Sequence, residues 1–407
     1  MYRVAMISVH GCPLAWPGTR DAGGMNVYIR ELSRELGRRG ALVDVFTRRR
    51  SPSVPEVSEF GENVRVIHLK AGPVGETEKN AVYDHLPEFL CNLRLYREEH
   101  GLDYDILHSH YWLSGWVAGF VQQRWALPHV TMFHTLGEVK NRARVGERES
   151  VLRIETERKI VAQADRVVAA SSHEKAQLVQ LYGAVPRRVE TIPCGVDLGL
   201  FQPIDKVLAR RQLGLDAQKI VLVVGRIEPL KGVDILIEAV AKLEDRDEVL
   251  VLVVGAETNG SKETRRLKGI ARQSGIGANV RFLGPVEQTA LPAIYSAADV
   301  CVVASYYESF GMVAAEAQAC GTPVVASRVG GLQTAVKDGE TGFLIPWRCP
   351  EPFAERLELL LGNDELRSRF GKAARSFIER FRWPAVADSM MALYDDLSER
   401  SLKKDIG

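Results

Sequence analysis

Ala298-Asp-Val-Cys-Val-Val-Ala304, running on into Ser305-Tyr-Tyr-Glu-Ser-Phe-Gly-Met-Val-Ala-Ala-Glu316, is the stretch on which the fold turns. Residues 298–304 are apolar and β-branched in a run too short for a helix, which predicts a buried strand. Residues 312–319 are alanine-rich and predict a helix. A parallel strand entering a helix through a tight glycine-containing turn places backbone N–H groups at the carboxyl edge of a sheet, where α/β proteins bind ligands. Glu308 in the turn and Glu316 on the helix add two carboxylates to that edge. Carboxylates do not neutralise phosphate. They accept hydrogen bonds from sugar or ribose hydroxyls, or support a cation. The structural alternative has Glu308 serving the helix dipole and Glu316 on the solvent face.

Working outward, the pattern repeats on both sides. Residues 219–225 (KIVLVVG), 250–255, 280–283 and 323–327 read as strands, and 291–298 as a helix. Gly330-Gly331 reads as a turn, 352–379 as polar helices, and 383–399 as a last helix that packs back on the first domain. After the first of these strands, Arg226 and Lys231 flank a proline-containing loop, with Gly232 opening the next helix. Two cations so placed suit a diphosphate and the charge that develops on it as it leaves. The plainer reading is two exposed basic residues.

The amino-terminal half alternates in the same way, with strands at 3–9, 41–47, 63–69, 105–110, 129–133, 165–170 and 188–192. Gly23-Gly24 ends a long loop before a helix at 25–39; paired glycines let a backbone approach a pyrophosphate. It is neither a Walker A loop nor a dinucleotide GxGxxG. His108, His110 and Tyr111 fall at one strand end, His134 and Thr135 at the next. Two histidines at i, i+2 invite a metal, but no third ligand lies near them, so hydrogen bonding to a hydroxylated or phosphorylated ligand is favoured. The helix after residue 150 carries Arg153, Glu155, Glu157, Arg158 and Lys159, mostly surface charge with i,i+4 pairing, although Arg153 can turn inward. Asp103/Asp105 and Asp245/Asp247 match an Asp-x-Asp metal pattern at the amino edge of strands and read as surface charge.

The expected fold class is therefore α/β, with two Rossmann-like parallel sheets facing across a cleft. The expected domains are 1–200, 201–380 and a terminal helix at 381–407. A chain of 407 residues is long for one core and comfortable for two. Its 53 basic and 52 acidic residues nearly cancel, which argues against a protein organised around nucleic acid. No stretch reaches membrane-spanning length and no cleavable signal pattern follows Met1, so the expected location is cytoplasmic. The six cysteines form no close pairs and read as reduced thiols.

Together these residues resemble the retaining, two-domain sugar-nucleotide glycosyltransferases of glycosyltransferase family 4, over essentially the whole chain. Glu308 and Glu316 look like the ends of that family's Glu-x7-Glu motif, and Arg226 and Lys231 like its diphosphate-binding pair. Gly23-Gly24 looks like its glycine-rich loop, and His134 like the histidine beside the transferred sugar. Asp21-Ala-Gly-Gly-Met-Asn-Val-Tyr28, His108-Ser-His-Tyr-Trp-Leu-Ser-Gly115 and the His134–Asn141 segment look most like the inositol-phosphate N-acetylglucosaminyltransferases of mycothiol synthesis. Sucrose-phosphate synthases share part of this pattern.

The resemblance implies a GT-B fold, a UDP-sugar donor, no required cofactor or metal, and a small hydroxylated or phosphorylated acceptor; the resembled enzymes are often homodimers. Glu316 would accept from the ribose, Glu308 from the transferred sugar. Tyr111, Thr135, Arg153, Asn26 and a lysine would hold the acceptor. That lysine closely precedes a Leu-Pro in the resembled enzymes, whereas here Leu86-Pro87 follows Val-Tyr-Asp-His and the nearest lysine is Lys79. Glu138 also departs from the small residue expected there. Competing readings are a sugar-nucleotide 2-epimerase on the same sheets, a phosphorylase, for which no pyridoxal phosphate lysine signature stands out, and a non-enzymatic binding module.

Overall fold

A computed structural model of the protein describes residues 2–15, 23–75, 81–143, 148–215, 219–255, 262–346 and 348–405, with side chains described through residue 399. The chain forms two compact units, one of Met1–Val139, Glu149–Pro193 and Trp383–Gly407, the other of Lys140–Arg148 and Cys194–Arg382. The change after Pro193 precedes the one expected at residue 200. Its cause is local: Val196 donates its N–H to the Phe381 carbonyl and bridges to Arg382, which ties the segment to the second unit.

In chain order the first unit contains β1 (Arg3–Ile7), α1 (Gly24–Arg38), β2 (Leu42–Arg48), β3 (Val57–Gly61) and β4 (Val64–Leu69). Then come α2 (Leu86–Glu99), β5 (Ile106–His110), α3 (Tyr111–Trp125), β6 (His129–Met132) and α4 (Gly137–Ala143), whose last turn is counted with the second unit. The unit continues through α5 (Val151–Gln163), β7 (Arg166–Ala169), α6 (Ser172–Tyr182) and β8 (Val189–Thr191). The sheet order is β3-β4-β2-β1-β5-β6-β7-β8, parallel except for β3. β3 (VSEFG) was not expected: it is a short antiparallel edge strand with every second residue exposed, so it lacks the apolar run that marks a buried strand.

The second unit holds α7 (Lys206–Gln212), β9 (Lys219–Val224), α8 (Val233–Val240), β10 (Val249–Val254), α9 (Lys262–Gln273), β11 (Val280–Gly284) and α10 (Leu291–Ala297). It continues with β12 (Val300–Val303), α11 (Met312–Ala319), β13 (Val324–Ser327), α12 (Leu332–Ala335), β14 (Gly342–Ile345), α13 (Pro350–Leu361) and α14 (Asp364–Ile378). Its all-parallel sheet runs β11-β10-β9-β12-β13-β14. Renumbered within the unit this is 3-2-1-4-5-6, so the order reverses between β9 and β12, where doubly wound sheets open their ligand crevice. Helices cover both faces, which is why β9 (KIVLVV) and β10 (VLVLVV) are almost unbroken Val and Leu. The core joins Val221 and Val251 of these strands to Leu236 of α8 and Phe353 of α13.

The terminal helix α15 (Trp383–Asp405) belongs to the first unit, as its expected packing requires. Tyr2 donates to Asp395 at 2.6 Å, Arg39 to Asp388 at 2.8 Å and Arg166 to Asp396 at 2.5 Å. Tyr394 reaches His108 in the buried sheet at 2.7 Å.

Candidate active site

In the second unit the loops after β9 and β12 meet at the switch point. Gly232 adopts a left-handed φ of +62°, and a Cβ there would lie 2.1 Å from the Ala304 carbonyl oxygen, so only glycine permits the approach. Tyr306 N donates to the Leu230 carbonyl at 2.8 Å and locks the loops together. The Gly330-Gly331 turn packs under the Glu308 turn just as closely; a Cβ on Gly330 would meet the Glu308 carbonyl oxygen at 1.9 Å.

These approaches bring Lys231 and Glu308 into a short charge-assisted hydrogen bond, to which the Ser305 hydroxyl adds a second donor at 3.1 Å. Arg226 is exposed and reaches Glu228 at 3.4 Å. Glu316 is not on a solvent face, contrary to the structural alternative. It is 8% exposed, and its Oε2 accepts from the Tyr295 hydroxyl at 2.8 Å. Burial pushes its carboxyl up to about 7, with the Tyr295 hydroxyl pulling the other way.

In the first unit the carboxyl ends of β1, β5 and β6 carry the second cluster. Tyr111 and His134 are non-glycine residues at left-handed φ, +77° and +60°, each at the turn after a strand. Such backbone costs free energy and collects at functional sites. The buried guanidinium of Arg153 unites the acceptor residues the resemblance implied. It donates to the Tyr111 hydroxyl at 2.9 Å and to the carbonyl and hydroxyl oxygens of Thr135 at 2.8 and 3.0 Å. It also sits over the Tyr111 ring, 4.8 Å from the centroid. Burial opposes its charge, but Tyr111, Glu157 and Glu149 outweigh that and keep it protonated.

Two carboxylates around Arg153 were not expected. Glu157 is no surface charge: it is fully buried and accepts from Arg153 Nε at 2.7 Å, from the Tyr182 hydroxyl at 2.6 Å and from Gly137 N at 3.0 Å. Glu149 Oε2 lies 2.9 Å from Arg153 Nη1. The i,i+4 spacing of Glu149, Arg153 and Glu157 was visible, but spacing does not say which face of a helix is buried.

His134 lies at the turn after β6, its Nε2 3.0 Å from His110 Nδ1 and its ring 5.1 Å from that of Tyr28. Burial lowers its pKa to about 3, which keeps the imidazole neutral. His108 is wholly buried, and its Nδ1 lies 2.7 Å from the Tyr394 hydroxyl. Asn26 is directed inward as well: its amide oxygen accepts from Gly23 N at 3.3 Å and its amide nitrogen donates to the Cys12 carbonyl at 2.8 Å. That fixes the Gly23-Gly24 start of α1, whose first amides have no intrahelical acceptor. Lys79 lies outside the described residues.

Asp103, Asp105, Asp245 and Asp247 are exposed, and among the described residues no group of three or more His, Cys, Asp or Glu is arranged to hold a metal ion. No helix among them is long and apolar enough to cross a membrane.

Residues 22–200 match the family model described as Glycosyltransferase Family 4, and residues 205–377 the one described as Glycosyl transferases group 1. A D-inositol 3-phosphate glycosyltransferase from Geodermatophilus obscurus is 46% identical, the match covering 98% of this chain and 90% of that one. The chain belongs to glycosyltransferase family 4. The D-inositol 3-phosphate glycosyltransferase 2 of Catenulispora acidiphila is 44% identical, over 96% of this chain and 94% of its own. Among solved structures, the sucrose-phosphate synthase of Thermosynechococcus elongatus superposes with a TM-score of 0.90 at 37% identity, over 98% of this glycosyltransferase and 99% of that chain. The two parallel-sheet units with their terminal helix are accordingly those of a GT-B glycosyltransferase.

Proposed function

We propose that this enzyme transfers a hexosyl unit, glucose or N-acetylglucosamine, from a UDP-sugar to a hydroxyl of inositol phosphate, with retention at the anomeric carbon. The observation that carries the acceptor half is the convergence of Tyr111, Thr135 and buried Arg153. A guanidinium gives a phosphate oxygen a charge-assisted hydrogen bond. The names of the relatives from Geodermatophilus obscurus and Catenulispora acidiphila point to the same acceptor. A hexose phosphate is the second reading, favoured by the likeness to the sucrose-phosphate synthase.

On the donor side, Arg226 and Lys231 take the diphosphate; the Gly23-Gly24 start of α1 is an anion-binding helix N-terminus of the first unit. Glu316 accepts from the ribose through Oε1, since Tyr295 already holds Oε2. Glu308 turns from Lys231 to the sugar hydroxyls once the diphosphate takes over the ammonium. Neutral His134 hydrogen-bonds the sugar near its reacting carbon. The acceptor hydroxyl attacks the face that UDP leaves, and the departing phosphate oxygen takes the proton, so no protein nucleophile and no metal are required. Lys79 joins the acceptor set, and Asn26 serves it only by fixing the start of α1. A reducing, cytosolic location is part of this reading, supported by six free cysteines, and so is a homodimer, which sedimentation would test.

The deciding experiment measures UDP release from UDP-N-acetylglucosamine and UDP-glucose, each with D-inositol 3-phosphate, fructose 6-phosphate and their unphosphorylated forms. Strong stimulation by inositol phosphate that disappears in Arg153→Ala is the expected result. Stimulation by fructose 6-phosphate alone moves the enzyme to the second reading. Indifference to every phosphate removes the acceptor assignment.

A further inference from the structure

The guanidinium of Arg153 is enclosed by its partners. Nε donates to Glu157, Nη1 to Tyr111 and Nη2 to the carbonyl and hydroxyl of Thr135, and Glu149 forms an ion pair with Nη1 at 2.9 Å. A phosphate can reach this cation only by replacing a partner. Glu157 is fully buried and fixed by Tyr182 and Gly137 as well. Tyr111 is also buried, with its ring 4.4 Å from that of His10. Glu149 differs. It precedes the Ser150 N-cap of α5, and its side chain is 16% exposed where those of Arg153 and Glu157 are 1% and 0%.

We infer that Glu149 is a specificity-determining stand-in for the acceptor phosphate. Its carboxylate sits against Nη1 of Arg153 and is expelled by a phosphorylated acceptor. A neutral polyol has nothing with which to displace it. A phosphate oxygen replaces it charge for charge, and Glu149 has a path to water. Glu149 therefore weakens every anion that binds Arg153, by the fraction of time it holds the guanidinium. In exchange, it keeps the site closed to unphosphorylated acceptors. No bond is made or broken in this step.

The inference rests on the acceptor reading above, and the test separates the two. Initial rates of UDP release are measured for wild type, Glu149→Gln and Glu149→Ala, with D-inositol 3-phosphate and with inositol as acceptors, and inorganic phosphate as a competing anion. Thermal melts of each variant establish that it is folded. Both variants are expected to lower the KM for inositol 3-phosphate and the inhibition constant of inorganic phosphate together, by about three- to tenfold. The rate with inositol is expected to rise above that of wild type in both variants. Constants equal to wild type, or a KM that rises for both acceptors as it would if Glu149 gripped an acceptor hydroxyl, overturn the inference and leave the acceptor reading standing. A wild-type enzyme that neither prefers the phosphorylated acceptor nor responds to phosphate overturns both.

Discussion

Single residues in this enzyme owe their chemistry to their surroundings. Glu316 shows this most directly, since burial raises its carboxyl to about 7, above the usual carboxylate range. A raised folded value means that the native state holds the proton more tightly than the unfolded chain does. Stability should then fall as pH climbs from about 4.5 through 7, by roughly 1–3 kcal/mol at 1.36 kcal/mol per pH unit. Glu316→Gln should flatten that slope in urea titrations at pH 5 and pH 8. If Glu316 receives the ribose hydroxyls as its ionised form, UDP should also bind more tightly at pH 8 than at pH 6, and the variant should lose the difference. Glu157 is the second case. Replacing it by Gln leaves the Arg153 charge buried without its inner partner, and breaking such a pair costs on the order of 3–5 kcal/mol. A denaturation midpoint unchanged in Glu157→Gln would show that Glu149 alone carries the guanidinium.

Whole elements are positioned by ties that local sequence does not announce. Asp299, at the entrance to β12, accepts from Lys206 and Arg210 of α7 and from Ile220 N in β9. Burial raises its carboxyl, but the charge and hydrogen bond of Lys206, the Ile220 amide and Arg210 more than offset this and hold it below the ordinary value. The stability it supplies is therefore present above about pH 4 and lost as pH falls through the depressed value. Asp299→Asn should destabilise the second unit at pH 7 and remove this part of its acid sensitivity, which chemical denaturation at pH 7 and about pH 2.5 would detect. A variant that keeps the wild-type midpoint at pH 7 would show that α7 docks without it. β3 and α7 both escaped the sequence reading, one because an exposed edge strand has no apolar run, the other because α7 buries only Ala209.

At the scale of the molecule the chain starts in one unit, builds the other, and returns with α15. Each unit has its own parallel sheet, and the proposed contacts of UDP itself lie in the second. Calorimetry should accordingly resolve two transitions, UDP raising the one that belongs to the second unit by about 2.7 kcal/mol of stabilisation at a hundredfold excess over Kd. Ending the chain before Trp383 should lower the other, because Tyr394, Asp395 and Asp396 then no longer hold His108, Tyr2 and Arg166. One cooperative transition shifted whole by UDP would refute the division.

Periodicity alone carried the reading of two α/β sheets, because buried parallel strands must be short apolar runs and the helices between them must show an apolar stripe. The motif spacing likewise brought Arg226, Lys231, Glu308 and Glu316 to one sheet edge, since a residue after a parallel strand has only one end of the sheet to occupy. Direction and partnership were decided by the tertiary structure. Whether Glu157 faces water or Arg153, whether His108 meets a ligand or Tyr394, and whether Asn26 serves an acceptor or its own helix start depend on groups far away in the chain or on which helix face is covered. Burial fixes those choices, because a charge or an imidazole taken out of water must find its partner inside the protein.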